Sequence, residues 1–395
     1  MTGAGAQSVV LALNSGSSSV KFGLYRVTGS RTEELLSGAA EAIGEPNGKF
    51  HAKDSQGRPL TCETASVTGQ QDAIIRVGRL LDGSRMPAPA AIGHRIVHGG
   101  PKLRKHCLID EPVMQQLESA AAFAPLHTPS ALAVIRFAQQ HFPGLPQVAC
   151  FDTTFHAAMP DVARVLPISR DLQSLGIQRY GFHGLSCESL VHQLGTSLPE
   201  RLIIAHLGNG ASVTAVKSGK SIDTSMGLTP SGGVMMGSRS GDLDPGVMVY
   251  LMREWKFDAV MLEDLIDDRS GLAGISGIGS DMRLLHDAAS SNPAARLAID
   301  MFCYSVRKQI AAMMAVLGGV DLIAFTGGIG ENDGEVRASI CAGLSWAGVS
   351  LDNAPDRSNP NPTSKSGGSR AMVLPSAEDE QIARHTGVIA LGSRV

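Results

Sequence analysis

Apolar runs alternate with short breaks of glycine and serine along the chain. In "VVLALNSGSSSVKFGLY" (Val9–Tyr25), an apolar strand stops at Asn14, and apolar residues resume around Lys21 after five small residues. A similar strand, turn and returning strand, "RLIIAHLGNGASVTAVKSGK" (Arg201–Lys220), follows roughly half a chain length later. Two hairpins whose turns leave backbone N–H groups open predict a duplicated fold with a ligand between the halves.

Helical spacing of apolar residues separates these hairpins from further strands. It predicts helices within Thr68–Gly83, Pro129–Gly144 and Ala294–Gly319. The third helix is followed by the apolar strand "VDLIAF" and then by "TGGIGEN" (Thr326–Asn332). Because helices that alternate with buried strands indicate parallel or mixed sheets, the pattern predicts an α/β fold.

The length of the chain predicts the number of domains, and its charge limits the kinds of ligand. A chain of 395 residues exceeds the roughly 250–300 residues at which one core stops growing, so we expect two domains. The formal net charge is -3 and no long run of one sign occurs, which argues against a nucleic-acid or membrane partner. We therefore expect a small-molecule ligand.

Cysteine usage and the N-terminal segment indicate a cytoplasmic protein. The six cysteines form no C-x-x-C pair and have no histidine at zinc-finger spacing, so we expect reduced core residues. The first residues lack the basic segment of a signal peptide, and no apolar run is long enough to span a membrane.

Three glycine-rich loops are candidates for phosphate binding. In "NSGSSSVK", backbone N–H groups, hydroxyls such as those of Ser17 and Ser19, and the Lys21 ammonium are donors for an oxyanion, and Asn14 could reach a metal-bound water. A tight hairpin built from small residues explains this stretch equally well. "HLGNG" and "GGIGEN" also follow apolar strands, whereas neither a Walker loop nor a G-x-G-x-x-G after a strand is present.

Isolated charged residues beside glycines form the second set of candidates. Arg95 in "GHRIVHGG" and Arg239 in "MGSRSGDLDPG" could each bind a carboxylate or phosphoryl group in bidentate fashion. Asp152 directly follows the apolar stretch "VACF", and His183 lies between two glycines. The alternatives are surface ion pairs for the arginines and a structural role for the histidine. Glu378 begins an acidic cluster that a helix N-terminus explains as well.

Seven of these motifs, in order and across essentially the whole chain, resemble those of the acetokinase family. They are "NSGSSSVKF", "GHRIVHGG", "FDTTFH", "RYGFHGLS", "HLGNGASV", "MGSRSGDLDP" and "FTGGIGEN". The resemblance implies the duplicated, ribonuclease H-like α/β fold of the actin, sugar kinase and heat-shock ATPase superfamily, with two related domains flanking an active-site cleft, usually in a homodimer. Residues 1–152 with 380–395 would form the N-terminal domain, and residues 153–379 the C-terminal nucleotide-binding domain.

The implied activity is reversible phosphoryl transfer from ATP to acetate, giving acetyl phosphate and ADP, with Mg²⁺ as the metal and Mn²⁺ as the alternative. By resemblance, the catalytic residues would be Asp152, His183 and Arg239, and acetate would contact Arg95, Val97, Leu126 and Pro230. The metal would involve Asn14 and Glu378. The nucleotide would contact Ser17, Ser19, Lys21, His206, Leu207, Gly208, Asn209, Gly210, Asp281, Met282, Arg283, Gly328, Ile329, Gly330, Glu331 and Asn332.

Among the departures from the family pattern, one leaves the choice of metal carboxylate open. "PSAED" replaces the usual Thr-Asn-Glu, so Asp379 or Glu380 competes with Glu378 for the metal, and Ser231-Gly232 stands where many relatives have Leu-Glu. The rival functions are a propionate or butyrate kinase of the same family, a sugar kinase, and a non-enzymatic actin-like ATP-binding protein. The last class has no use for paired arginines aimed at a small carboxylate.

Overall fold

Two sheets organise the chain in its computed structural model, which describes residues 8–16, 18–29, 31–63, 66–84, 86–125, 127–351 and 370–392. They belong to two compact units. The first unit contains the chain up to Ala157, Gly184–Ser189 and the chain from Ala377 onward. The second contains Ala158–His183 and Leu190–Ser376.

The sheet of the first unit has the strand order β5-β4-β3-β2-β1-β6-β8-β7. Strands β1 to β5 form an antiparallel meander, whereas β1, β6 and β8 run parallel. The strands are β1 (Ser8–Ser15), β2 (Val20–Thr28), β3 (Arg31–Glu41), β4 (Lys49–Asp54), β5 (Pro59–Glu63), β6 (Ala91–Ile96), β7 (Cys107–Leu108) and β8 (Gln147–Phe151).

Helices cover both faces of this sheet because β1 is apolar on both faces. Its residues Leu11 and Leu13 pack in one core cluster, and the alternate residues Val10 and Ala12 pack in another with the C-terminal helix. Gly93 permits this helix to approach, since a Cβ there would lie 2.2 Å from Thr386 Oγ1. The helices are α1 (Gln70–Gly83), α2 (Glu111–Ser119), α3 (Thr128–His141) and α14 (Glu378–Leu391).

The sheet of the second unit has the order β11-β10-β9-β12-β14-β13. Its strands are β9 (Arg201–Leu207), β10 (Ala211–Lys217), β11 (Lys220–Thr224), β12 (Leu322–Thr326), β13 (Ser350–Leu351) and β14 (Arg370–Val373). The remaining helices, of which α6 runs from one unit into the other, are α4 (Asp161–Arg164), α5 (Arg170–Gln173), α6 (Gly184–Leu194), α7 (Pro245–Glu254), α8 (Ala259–Asp267), α9 (Gly271–Ser276), α10 (Met282–Ala288), α11 (Pro293–Leu317), α12 (Gly327–Asn332) and α13 (Gly334–Ala342).

The two sheets repeat one topology, which confirms the predicted duplicated α/β fold. In each, a three-stranded antiparallel meander continues into two parallel strands: β3-β2-β1-β6-β8 in the first unit and β11-β10-β9-β12-β14 in the second. The two hairpins noted in the sequence are β1–β2 and β9–β10, so they occupy equivalent places in the repeat.

The three predicted helices are present as α1, α3 and α11. In α1 the buried stripe includes Ile74, Val77 and Leu81, whereas Ile75 and Leu80 are only partly buried. The expectation of core cysteines was wrong for Cys62, which is exposed, and for Cys107, which is half-buried. Within the described part of the chain, no helix combines the length and apolar character that a bilayer span requires.

Candidate active site

Parallel strands bring three of the sequence-predicted residues to one edge of the first sheet. Leu13 in β1 lies opposite His94 in β6, and Ile96 in β6 lies opposite Phe151 in β8. The carboxyl ends of these strands therefore carry Asn14, Arg95 and Asp152 at the same edge, where open α/β sheets bind ligands.

Arg95 and Asp152 form an ion pair in which one carboxylate oxygen is used twice. Asp152 Oδ2 accepts hydrogen bonds from Arg95 Nε at 3.0 Å and from Nη2 at 2.6 Å. Asp152 is completely buried, and its other oxygen, Oδ1, has no hydrogen-bond partner among the described residues. Such an unpartnered buried oxygen points to a bound group that is not part of the protein.

Asn14 connects this ion pair to the start of α14. Its Nδ2 donates to Glu378 Oε2 at 3.0 Å and to Asp379 Oδ1 at 2.9 Å, and its Oδ1 accepts a long hydrogen bond of 3.4 Å from Arg95 Nη1. We call these five residues, Asn14, Arg95, Asp152, Glu378 and Asp379, the carboxylate cluster. The atoms of this cluster that could bind a metal are hard amide and carboxylate oxygens, which fit a cation such as Mg²⁺ better than a soft metal.

Burial disfavours the charged form of two acids in this cluster. It raises the pKa of Asp379 from 3.8 to about 6, with the Asn14 hydrogen bond opposing the shift and the Glu378 carboxylate adding to it. Burial also raises the pKa of Asp152, against the effect of the Arg95 guanidinium. Arg95 itself has a pKa shifted further upward by the neighbouring acids despite its burial, so it stays charged.

A histidine and an arginine converge on one glycine in the second unit. A Cβ on Gly210 would lie 3.2 Å from Arg239 Nη1 and 3.3 Å from His183 Nε2, so only glycine leaves both side chains in place. The His183 ring stacks on that of His206, with ring centroids 4.1 Å apart and an interplanar angle of 19°. Its Nδ1 lies 3.0 Å from Ser212 Oγ. We call these five residues the histidine cluster.

The backbone holds both histidine-cluster side chains in defined positions. His183 has a φ of 57°, a left-handed conformation that costs a non-glycine residue roughly 1–3 kcal/mol and is typical of functional sites. Arg239 Nη1 donates to the carbonyl of Pro230 at 3.3 Å. Gly237 N–H donates to Asn209 O at 3.0 Å, which joins the arginine loop to the β9–β10 turn.

The other predicted nucleotide segments lie beside this turn or on α10. Strand β12 pairs with β9 so that Thr326 lies opposite His206, which places "GGIGEN" next to the turn as the short helix α12. The Glu331 carboxylate accepts hydrogen bonds from the N–H groups of Gly327 and Ser376 at 3.0 Å each, so it joins two loops. Asp281 caps α10, in which Met282 is buried, and pairs with the exposed Arg283.

Other predicted residues lie in or next to strands β2 and β6, or outside the described chain. Lys21 is exposed on β2, directly opposite Asn14, and the carbonyl of Ser19 accepts a hydrogen bond from Gly16 N–H. Val97 is buried, but β6 ends one residue before it. Ser17 and Leu126 are outside the described residues.

A third group of titratable residues in the first unit escaped the sequence analysis. His106, Glu188 and His385 have potential ligand atoms within 4.8 Å of one another. His106 Nδ1, however, accepts a hydrogen bond from Phe151 N–H at 3.0 Å. A neutral imidazole then carries its proton on Nε2, so His106 cannot offer Nε2 to a metal without losing that bond. No sequence spacing connects these residues, which come from a loop and two helices.

Comparison with known proteins relates the whole chain to one family. The profile of the acetokinase family matches residues 9–384. A protein named acetate kinase from Clavibacter michiganensis is 41% identical over 394 residues, which cover 96% of this chain and 98% of that protein. One of the same name from Campylobacter lari is 38% identical over 389 residues, covering 95% and 98%.

Solved structures give the same relationship. The structure of a propionate kinase from Francisella tularensis has a TM-score of 0.87 at 37% identity and covers 97% of this chain and 100% of its own. An acetate kinase structure from Porphyromonas gingivalis has a TM-score of 0.82 at 34% identity, with coverage of 97% and 99%.

The raised pKa of Asp379 predicts a pH-dependent stability in metal-free buffer. Between about pH 4 and pH 6, folded Asp379 keeps a proton that the unfolded chain releases. The free energy of unfolding therefore decreases as the pH rises through this range to about 6. At pH 7 the cost is on the order of 3 kcal/mol. Asp379→Asn should therefore be more stable than the native protein at pH 7 and nearly equal to it at pH 4.

Unfolding by urea in the presence of a chelator, at both pH values, measures this difference. A difference in free energy of unfolding that is the same at pH 4 and pH 7 would contradict the assigned environment of Asp379.

Proposed function

The chain belongs to the acetokinase family, and we propose that it transfers a phosphoryl group reversibly from ATP to acetate, giving acetyl phosphate and ADP. One observation carries the proposal: in a chain that matches this family over residues 9–384, the buried Asp152 holds Arg95 next to Asn14, which contacts Glu378. An arginine held in this way suits a small carboxylate substrate next to a metal-bound phosphate.

The first unit would bind the acid. We propose that Arg95 holds the acetate carboxylate. Asp152 would keep the guanidinium oriented, since Arg95 Nε and Nη2 both donate to Asp152 Oδ2. Val97 and Leu126, together with Pro230, would form the apolar wall around the acetate methyl group. Acetate is already ionised at pH 7, so Asp152 does not need to act as a base.

The second unit would bind the nucleotide and stabilise the transferring group. His183 Nε2 and Arg239 Nη1 face the same glycine, Gly210, in the turn that follows β9. We propose that both donate hydrogen bonds to the phosphoryl oxygens as charge spreads over them, which is the main requirement of phosphoryl transfer. The turn His206–Gly210, the segments Asp281–Arg283 and Gly328–Asn332, and Lys21 with Ser17 and Ser19 would contact ATP.

The carboxylate cluster would hold the metal, for which we propose Mg²⁺ with Mn²⁺ as the alternative. Glu378 is the proposed carboxylate, acting directly or through water, and Asn14 acts beside it because its amide donates to Glu378 at 3.0 Å. When bound, the ion neutralises phosphate charge and orients the phosphate oxygens.

A surface of the second unit supports the proposal of a homodimer. Helices α7 and α8 contain no buried residue, although they carry Val249, Tyr250 and Met252. Trp255, which lies between the two helices, is 65% exposed, and Val260 in α8 is 72% exposed. Short helices whose apolar residues stay unburied gain little from packing, and a second copy of the same surface would cover them in a symmetric contact.

The proposed activity predicts a preference for acetate over longer acids. Incubation with ATP, Mg²⁺ and acetate, propionate or butyrate, with hydroxylamine to trap acyl phosphate as a hydroxamate, should give the highest kcat/KM with acetate. Because a methylene contributes only about 1–3 kcal/mol of discrimination, propionate should react more slowly rather than not at all. A preference for propionate would instead support the activity for which the Francisella tularensis propionate kinase is named.

Val97→Ala tests the proposed wall in the same assay. Valine is stiff at χ1, whereas alanine leaves space for another carbon, so the ratio of kcat/KM for propionate to that for acetate should rise about tenfold. Val134→Ala, which truncates a buried valine on α3, is the control and should leave the ratio unchanged. An unchanged ratio in Val97→Ala would remove Val97 from the pocket.

Glu378→Gln tests the metal assignment. It should raise the Mg²⁺ concentration needed for half-maximal rate by about tenfold or more, because a neutral amide is a poorer ligand for a hard cation. Asp379→Asn, which changes the adjacent acid, should cause the smaller shift. The reverse order would assign the metal to Asp379.

The homodimer is tested by light scattering coupled to size exclusion. The native chain should have twice its mass of 41.3 kDa, and Val260→Lys should reduce that mass toward the monomer. Trp346→Lys, which alters an exposed aromatic residue that belongs to neither α7 nor α8, should remain dimeric. A native monomer, or a dimer insensitive to Val260→Lys, would contradict this surface.

A further inference from the structure

A single buried hydroxyl contacts the histidine that faces Gly210. Ser212 lies in β10 and has no exposed surface, and its Oγ is 3.0 Å from His183 Nδ1. Among the described residues, His183 provides the only hydrogen-bond partner of this hydroxyl group. The serine hydroxyl therefore makes one hydrogen bond. Whether it donates or accepts this bond determines which nitrogen of the imidazole carries a proton.

The need to satisfy the buried Ser212 O–H group indicates that the serine donates this hydrogen bond. If Ser212 Oγ accepted a hydrogen bond from Nδ1–H, its own O–H would be a buried donor without an acceptor, which is energetically costly. If Ser212 donates to Nδ1, its donor is satisfied and the imidazole proton resides on Nε2. The same reasoning disfavours a doubly protonated ring, since Nδ1–H would again displace the serine donor.

The neighbouring guanidinium of Arg239 disfavours a positive charge on the ring. One face of His183 is covered by the His206 ring at 4.1 Å, and the Arg239 guanidinium approaches the same point above Gly210 as His183 Nε2 does. A second positive charge on His183 would be close to the permanently charged Arg239, which like-charge repulsion disfavours.

We propose that Ser212 is a positioning residue that keeps a proton of the His183 ring on Nε2, the nitrogen that faces Gly210. The part of this inference that concerns catalysis rests on the proposed function: Nε2–H then faces Gly210 as the donor that we assign to the transferring phosphoryl group. The left-handed backbone at His183 restricts the placement of the ring, and the Ser212 hydroxyl determines which ring nitrogen carries the proton.

Removing the hydroxyl should change turnover rather than binding. In Ser212→Ala, Nδ1 has no donor, both tautomers and the charged form become accessible, and kcat should fall about tenfold, the value of one well-placed hydrogen bond. KM for ATP and for acetate should stay within about twofold. Ser212→Thr keeps the hydroxyl and should recover most of the rate.

Thr214→Val is the matched control. Thr214 is two residues further along β10 on the same face, is fully buried, and shares a hydrogen bond of 2.9 Å with Thr224. This variant removes a buried hydroxyl whose hydrogen bond joins it to Thr224, so kcat should stay close to the native value. An equal loss of kcat in Thr214→Val and Ser212→Ala would show a merely structural effect and overturn the proposal.

Neutron diffraction from crystals of the deuterated native protein locates the ring proton directly, whatever the substrate. Density for deuterium on Nε2 alone, with the serine deuterium directed at Nδ1, is the expected result at pH 7. Deuterium on Nδ1 overturns the proposal, and so does an Nε2 tautomer combined with native kcat in Ser212→Ala. A native protein that forms no acyl phosphate from any acid would contradict the proposed function and leave the neutron result to decide the tautomer.

Discussion

The carboxylate cluster depends on a buried carboxylate that must keep its charge. Asp152 has no exposed surface, and burial raises its pKa, so the ionised form persists only because Arg95 donates two hydrogen bonds to one of its oxygens. The same contact immobilises the arginine. Removal of Arg95 would leave Asp152 as an unpaired buried charge, which is far more costly than losing a surface ion pair.

This pairing follows from the topology of the sheet. Strands β1, β6 and β8 are parallel neighbours, so the residues at their carboxyl ends share one edge. Helix α14 then packs across the same strands, which Gly93 permits by having no side chain. Its first turn carries Glu378 and Asp379 to Asn14, although more than 360 residues separate them along the chain. The repeated topology of the second unit positions a different set of groups, those of the histidine cluster, around the turn after β9.

Local patterns in the sequence predicted most of this architecture. The apolar strand, glycine turn and returning strand around Asn14 and around Asn209 indicated both hairpins, and the position of Asp152 after an apolar stretch indicated a strand end. Which partner each side chain meets was not predictable, because it depends on contacts between distant segments. Glu331 illustrates this: "GGIGEN" indicates a ligand loop, but its carboxylate accepts hydrogen bonds from the backbone of two loops. Ser212 likewise reads as an ordinary strand residue until its distance to His183 is known.

The two clusters differ in charge: one concentrates carboxylates, and the other presents hydrogen-bond donors. The carboxylate cluster gathers negative charge around one arginine, so it is poorly stable by itself and gains from a cation, which relieves the repulsion that contributes to the raised pKa of Asp379. The histidine cluster has no acid among its members and presents donors instead. Its groups are fixed before any ligand arrives, by a strained backbone at His183 and by the Pro230 carbonyl at Arg239. Donors that need no rearrangement stabilise a developing charge more strongly than mobile ones, because the cost of orienting them has already been met when the chain folds.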